Sequence, residues 1–177
     1  MEIDELTLRD FVIWAAKAGK EKRLDKTQIS HKFAQAVRGE LTKAGATAEP
    51  LKSGNANYFR ASFDGTDLLI SAFASQENWW NEPSDGFMDL VKKAKTTTSS
   101  CRWGVVLLRV PEMSGYWIEG ASLQETYGDW RKKFTESNMK QIVKQKSAHE
   151  FLKLEQLPNL IRRGRLPGSI LIKKTAT

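Results

Sequence analysis

Leu8, Phe11, Val12 and Ala15 recur at the three- and four-residue spacing of one helix face, behind a Thr7 and Asp10 start suited to capping free amides. A first helix is predicted over 7–18, with Gly19 as its stop. Ile29, Phe33, Val37 and Leu41 then repeat every four residues until Gly45, which predicts a second helix over 27–44. The stretch 46–56, with Pro50, Gly54 and Asn55, has no period and reads as a loop. Beyond it the period shortens. Residues 58–63 and 66–74 are rich in aromatic and branched side chains and flank Asp64 and Gly65, a two-residue hairpin signature. Residues 75–83 read as a loop carrying Trp79 and Trp80, and Ser84 caps a short helix in which Phe87, Leu90 and Val91 share a face.

The apolar run 103–110, closed by Pro111, predicts a strand buried on both faces, and 116–119 returns as another strand. From 122 to 163 the pattern is helical, with breaks near 135–138 and at Pro158, and Ser147 with Glu150 reads as a capping box. Residues 170–172 are expected as a last short strand and 173–177 as a frayed tail. The order ααββαββααβ predicts one domain over residues 1–177 with an α+β (mixed α/β) fold. Its parts are two N-terminal helices, a β-hairpin and central mixed sheet flanked by helices, and a helical C-terminal part with a short last strand.

Charge adds a partner to this picture. Lys and Arg number 28 against 21 Asp and Glu, for a net +7, and the excess is unevenly placed. The net is −3 over 1–16, +5 over 17–43, −4 over 44–130 and +9 over 131–177. Polyanions are bound by patches, so Lys20, Lys22, Arg23, Lys26, Arg131, Lys132, Lys133, Arg162, Arg163 and Arg165 are the expected phosphate contacts. Arg162, Arg163 and Arg165 stand at a helix end beside Gly164 and Pro167, where guanidinium forks can reach a backbone or base edge. The expected partner is DNA or other nucleic acid, with a larger protein assembly as a further one.

The lone Cys101 excludes an intramolecular disulfide framework and a multi-cysteine zinc site, and fits a reducing, cytoplasmic compartment. The longest apolar runs, 68–73 and 104–108, fall far short of the roughly 20 residues that cross a bilayer. The acidic start, Met1 to Glu5, is unlike a secretory signal, so no membrane partner is expected.

Adjacent side chains diverge, so one of Trp79 and Trp80 is expected at the surface, where an indole can stack on an unpaired or flipped base. Trp14, Trp103 and Trp117 lie in apolar periodic segments and read as core. Asp64, Asp67, Glu77, Glu82, Asp85 and Asp89 fall within 26 residues and could hold Mg²⁺, but turn and cap chemistry accounts for Asp64 and Asp85. His31 and His149 lack the spacing of a metal pair. No cofactor is expected, save Mg²⁺ if the chain is a nuclease.

A leading helix, a hairpin, a helix and a buried strand, over roughly 27–120, resemble the core of the restriction-endonuclease-like nucleases, the PD-(D/E)XK superfamily. In that family the second hairpin strand carries Glu-x-Lys, which with an acidic residue near the first strand holds Mg²⁺ and orients the attacking water. In the run Asp67, Leu68, Leu69, Ile70, Ser71, Ala72, Phe73, those positions are held by Ser71 and Phe73. The resemblance implies nucleic-acid handling in defence or repair and speaks against cleavage. The expected function is therefore a non-catalytic DNA-binding domain that reads a base or a modification in a restriction or phage-defence setting. One alternative is a divergent Mg²⁺-dependent endonuclease using Asp64, Asp67 or Glu77 with Lys92 or Lys93. Another is a protein-interaction module docking through 122–163.

Overall fold

The four-residue repeat of Ile29, Phe33, Val37 and Leu41 buries all four side chains to within 1% of full burial, which makes their helix the spine of one side of the molecule. The computed structural model describes residues 8–21, 25–51, 57–63, 65–97, 101–110, 112–127, 134–144 and 148–163. In chain order they form α1 (Leu8–Glu21), α2 (Lys26–Lys43), β1 (Thr47–Pro50), β2 (Tyr58–Phe63), β3 (Thr66–Ser75), β4 (Trp79–Trp80) and α3 (Asp85–Thr97). There follow β5 (Arg102–Arg109), β6 (Ser114–Glu119), α4 (Gly120–Tyr127), β7 (Phe134–Thr135), α5 (Glu136–Lys144), β8 (His149–Phe151), a 3₁₀ turn (Leu154–Gln156) and α6 (Leu157–Arg163). The fold is mixed α+β, as the order of periods predicts. None of the described helices is long and apolar enough to cross a membrane.

Six strands form one sheet in the order β1-β2-β3-β5-β6-β8, and β4 pairs with β7 in a separate two-stranded sheet. Every neighbouring pair is antiparallel except β3 and β5, which α3 connects as a crossover. The period of two along β3 divides its side chains between two cores. Leu68, Ile70, Ala72 and Ala74 join Phe59, Ala61, Val106 and Leu108 against α1, α2 and α6. Leu69 joins Val105, Leu107, Tyr116 and Ile118 against Phe87, Met88 and Val91 of α3 and Met139 of α5. Helices cover both faces, which is why β3 and β5 are apolar almost without interruption.

The predicted hairpin forms, with Phe63 paired to Thr66 and Gly65 at φ +80° in its turn; Asp64 lies outside the described residues. Ser84 caps α3 as expected, its Oγ accepting from Phe87 N at 3.2 Å. Gly104 of β5 is needed for packing. A Cβ there would overlap the six-membered ring of Trp117, so even alanine forces a shift of neighbouring groups.

Several expectations are overturned. Gly19 does not stop the first helix, which continues to Glu21. The supposed loop 46–56 contains β1, paired from Thr47↔Ser62 to Pro50↔Phe59. An edge strand is bonded on one side only, so Pro50 is tolerated there. Trp79 and Trp80 lie in a strand, not a loop, because Thr135 and Phe134 arrive as partners from 56 and 54 residues on. The predicted helical stretch 122–163 breaks near 135 as expected, at β7, but β8 interrupts it as well, and Pro158 lies in the first turn of α6 and does not end a helix. Glu150 pairs with Tyr116 within β8, so it is no capping residue. Ser147, and the strand expected over 170–172, lie outside the described residues.

Candidate nucleic-acid interface

In open sheets, ligands bind beyond the carboxyl ends of parallel strands, and here that position follows Ser75 of β3 and Arg109 of β5. Side-chain hydrogen bonds build the ground around it. Ser30 of α2 accepts from Ala74 N at 3.1 Å and donates to Ala74 O, which pins the helix to the end of β3. Asn57, at the entry to β2, donates from Nδ2 to Ala72 O at 3.3 Å, while its own carbonyl accepts from Ala72 N at 2.8 Å. Ser75 Oγ accepts from Glu77 N at 3.0 Å.

Between these groups lies a cavity of about 130 Å³, lined by Thr27, Ser30 and His31 of α2, by Asn57, by 73–75 of β3, and by Trp79, Trp80 and Asn81. Burial holds the His31 imidazole below its usual pKa, with the Asp25 carboxylate pulling the other way. The lining is thus aromatic and neutral-polar near pH 7. A second cavity of about 300 Å³, lined by Asn78, Trp79, Thr135, Glu136 and Ser137, shares Trp79 with the first.

The two tryptophans part company. Trp79 is half-buried and borders both cavities. Trp80 is 1% exposed, donates from Nε1 to Leu108 O at 2.9 Å, and meets Tyr116 edge to face at 6.0 Å. Its ring is committed to the core, which removes Trp80 from the stacking candidates. Behind it, Glu136 pairs with Arg109 and accepts from Tyr116 Oη at 3.1 Å. Burial, helped by the Glu150 carboxylate and opposed by Arg109, raises the Tyr116 pKa, so the phenol keeps its proton. Trp103 and Trp117 are core residues as expected. Trp14 is half-buried, with Lys32 Nζ 5.0 Å from its ring centre.

The basic candidates are only partly placed. Arg162 and Arg163 are exposed in the last turn of α6. Arg162 lies over the ring of Phe63, 5.2 Å from its centre, at the hairpin end of β3. The cavity is at the other end, eight residues and therefore about 26 Å away along the strand. Arginines and tryptophan are thus not brought together. Of Lys20 and Lys26 only the backbone is described, in α1 and at the start of α2. Lys22, Arg23, Arg131, Lys132, Lys133 and Arg165 lie outside the described residues.

The acidic candidates do not form one site either. Asp67 is the second residue of β3 and Glu77 follows its end, again with about 26 Å of strand between, whereas two ligands of one Mg²⁺ each lie about 2 Å from the ion. Among the described residues no group of three or more His, Cys, Asp or Glu is placed to hold a metal. Asp67 instead shares a cavity of about 410 Å³ with Arg60, Lys93 and Cys101 over Leu51, Leu69 and Leu90, and Lys92 is not in its lining. Burial and the Asp67 carboxylate raise the Cys101 pKa, so this thiol is not activated. Ser71, at the family's Glu position, is 1% exposed, and its hydroxyl has no hydrogen-bond partner among the described residues.

The sequence picks out Trp79 but not Ser30, Asn57 or Ser75, and weighs His31 only as one of a metal pair. The signal for Ser30 was available in principle, since it falls on the apolar stripe of α2, four positions before Ala34 and seven before Val37. No protein-family model matches the chain, and no curated protein matches its sequence.

Proposed function

We propose that this chain is a non-catalytic nucleic-acid-binding domain that reads a base or its modification, in a restriction or phage-defence setting. The observation that carries the reading is the cavity beyond the parallel strands, with Phe73 and Trp79 in its wall and uncharged polar groups around it. Aromatic faces beside neutral donors and acceptors suit a nucleobase better than a phosphate. The element order supports the same class. Ser71 and Phe73, where the resemblance would put carboxylate and lysine, support binding over cleavage. The basic flanks supply the sequence-independent part of the affinity.

The test is titration of tryptophan fluorescence with single-stranded and duplex DNA at two salt concentrations, with and without Mg²⁺, followed by a gel of the same samples. Salt-sensitive quenching with intact DNA is expected. Absence of quenching and of any mobility shift at low salt overturns the reading. The placement of Asp67 with Lys93 around one cavity favours a second reading, the Mg²⁺-dependent endonuclease. Cut DNA in that gel, abolished by Asp67→Asn, would put it first.

A further inference from the structure

The occupant of the cavity at the end of β3 is narrowed by its size and by hydrogen bonds already made. Its volume of about 130 Å³ is close to the roughly 150 Å³ of an engineered cavity that admits benzene, the scale of one six-membered ring. Phe73 and Trp79, both half-buried, bring aromatic surface to that space. Ser30 commits its proton to Ala74 O and one lone pair to Ala74 N, so it has no hydrogen left to donate into the cavity. Asn57 spends an amide hydrogen on Ala72 O, which leaves its Oδ1 as an acceptor. Ser75 Oγ already accepts from Glu77 N, which leaves its O–H to donate. The Asn57 carboxamide thus keeps its Oδ1 and one amide hydrogen, Ser75 keeps its O–H, and Thr27, His31 and Asn81 add further polar groups, so the cavity offers both acceptors and donors beside ring faces, as a small, flat, uncharged heterocycle needs.

We propose that this cavity takes the pyrimidine ring of an unpaired or extruded nucleotide, stacked on Trp79 and Phe73 and read at its edge by Asn57 and Ser75. The inference rests on the nucleic-acid reading given above and narrows it from any base to a single-ring one. Phosphate has no counter-charge in this lining at neutral pH, so the backbone stays outside and only the base enters.

The experiment uses the full chain and duplexes that carry one bulged nucleotide: cytosine, thymine, adenine, guanine or an abasic residue. Bulged pyrimidines are expected to bind about 5- to 150-fold more tightly than the abasic bulge, the range that one base–aromatic stack supplies, with purines close to abasic. Trp79→Leu is expected to bring pyrimidine affinity down to that of the abasic bulge, while Trp79→Phe retains part of the preference. Asn57→Ala tests the edge contact separately. Equal affinity for all five bulges, or preference for purines, overturns the pyrimidine pocket and leaves nucleic-acid binding standing. Failure to bind any of them at low salt overturns both.

Discussion

His31 sits on a helix at the rim of a cavity whose other polar groups, Thr27, Ser30, Asn57, Ser75 and Asn81, carry no charge. Burial depresses its pKa, and the Asp25 carboxylate opposes that shift. A histidine whose folded pKa lies below its unfolded value binds fewer protons when folded, so its contribution to stability is complete above the unfolded pKa of about 6.5 and is lost as pH falls through the folded one. Thermal melts at pH 7.5 and pH 5 are therefore expected to show a lower Tm at the acidic pH. His31→Gln should reduce that difference, because glutamine has nothing to protonate; an unchanged difference would locate the acid sensitivity elsewhere.

At the scale of elements, the attachment of α6 to the sheet is the most specific contact on the hairpin side. Arg102 of β5 pairs with Glu119 of β6 and donates to Ile161 O at 3.1 Å, so one guanidinium holds two strands and the end of a helix. Burial raises the Glu119 pKa, with the bonds to Arg102 opposing it. Arg102→Ala strands a largely buried carboxylate and is expected to lower stability by about 3 kcal/mol in urea unfolding. A raised folded pKa stabilises below the unfolded value and loses that contribution as pH rises, so the deficit should be smaller at pH 5 than at pH 8. A deficit independent of pH would mean that Glu119 does not feel the loss.

Elements differed in how far local pattern disclosed them, and these two regions show why. The α2 spine and the β2–β3 hairpin are written in short-range signals, namely the repeat from Ile29 to Leu41 and the Asp64-Gly65 turn. β1 and β8 are three- or four-residue strands with mixed polar composition, and each becomes a strand only because a distant edge is waiting for it. For Glu150 the local capping signature pointed to helix, and tertiary pairing with Tyr116 prevailed. The cavity was harder to foresee. Trp79 stands out by residue type, whereas Asn57 and Ser75 matter through bonds to backbone that no local pattern announces.

For the whole molecule, the distance between its two candidate contact regions matters most. Arg162, over Phe63, and Trp79 lie toward opposite ends of β3, with about 26 Å of strand between them, which is about eight base pairs of duplex at ~3.4 Å each. Groups so far apart act independently, so their contributions to binding should add within about 0.5 kcal/mol. The double variant Arg162→Ala, Arg163→Ala is expected to weaken binding evenly across sequences. Its log–log salt slope should fall by about 0.9 for each lost phosphate contact, with base preference unchanged. An unchanged slope would remove α6 from the interface.

The parallel pairing of β3 with β5 also bears on how the chain is made. Leu68 pairs with Arg102, 34 positions later, and Trp80 is held by Leu108 O and by Phe134, from a strand made later still. On a ribosome the hairpin emerges as a finished local unit, then waits for α3 and β5 before the sheet can grow past it. The wall formed by Trp80 waits for Phe134. A chain interrupted before that residue would carry Ser30, Asn57 and Phe73 but lack the strand partner that fixes Trp80 beside them, so synthesis completes the pocket only after most of the sheet.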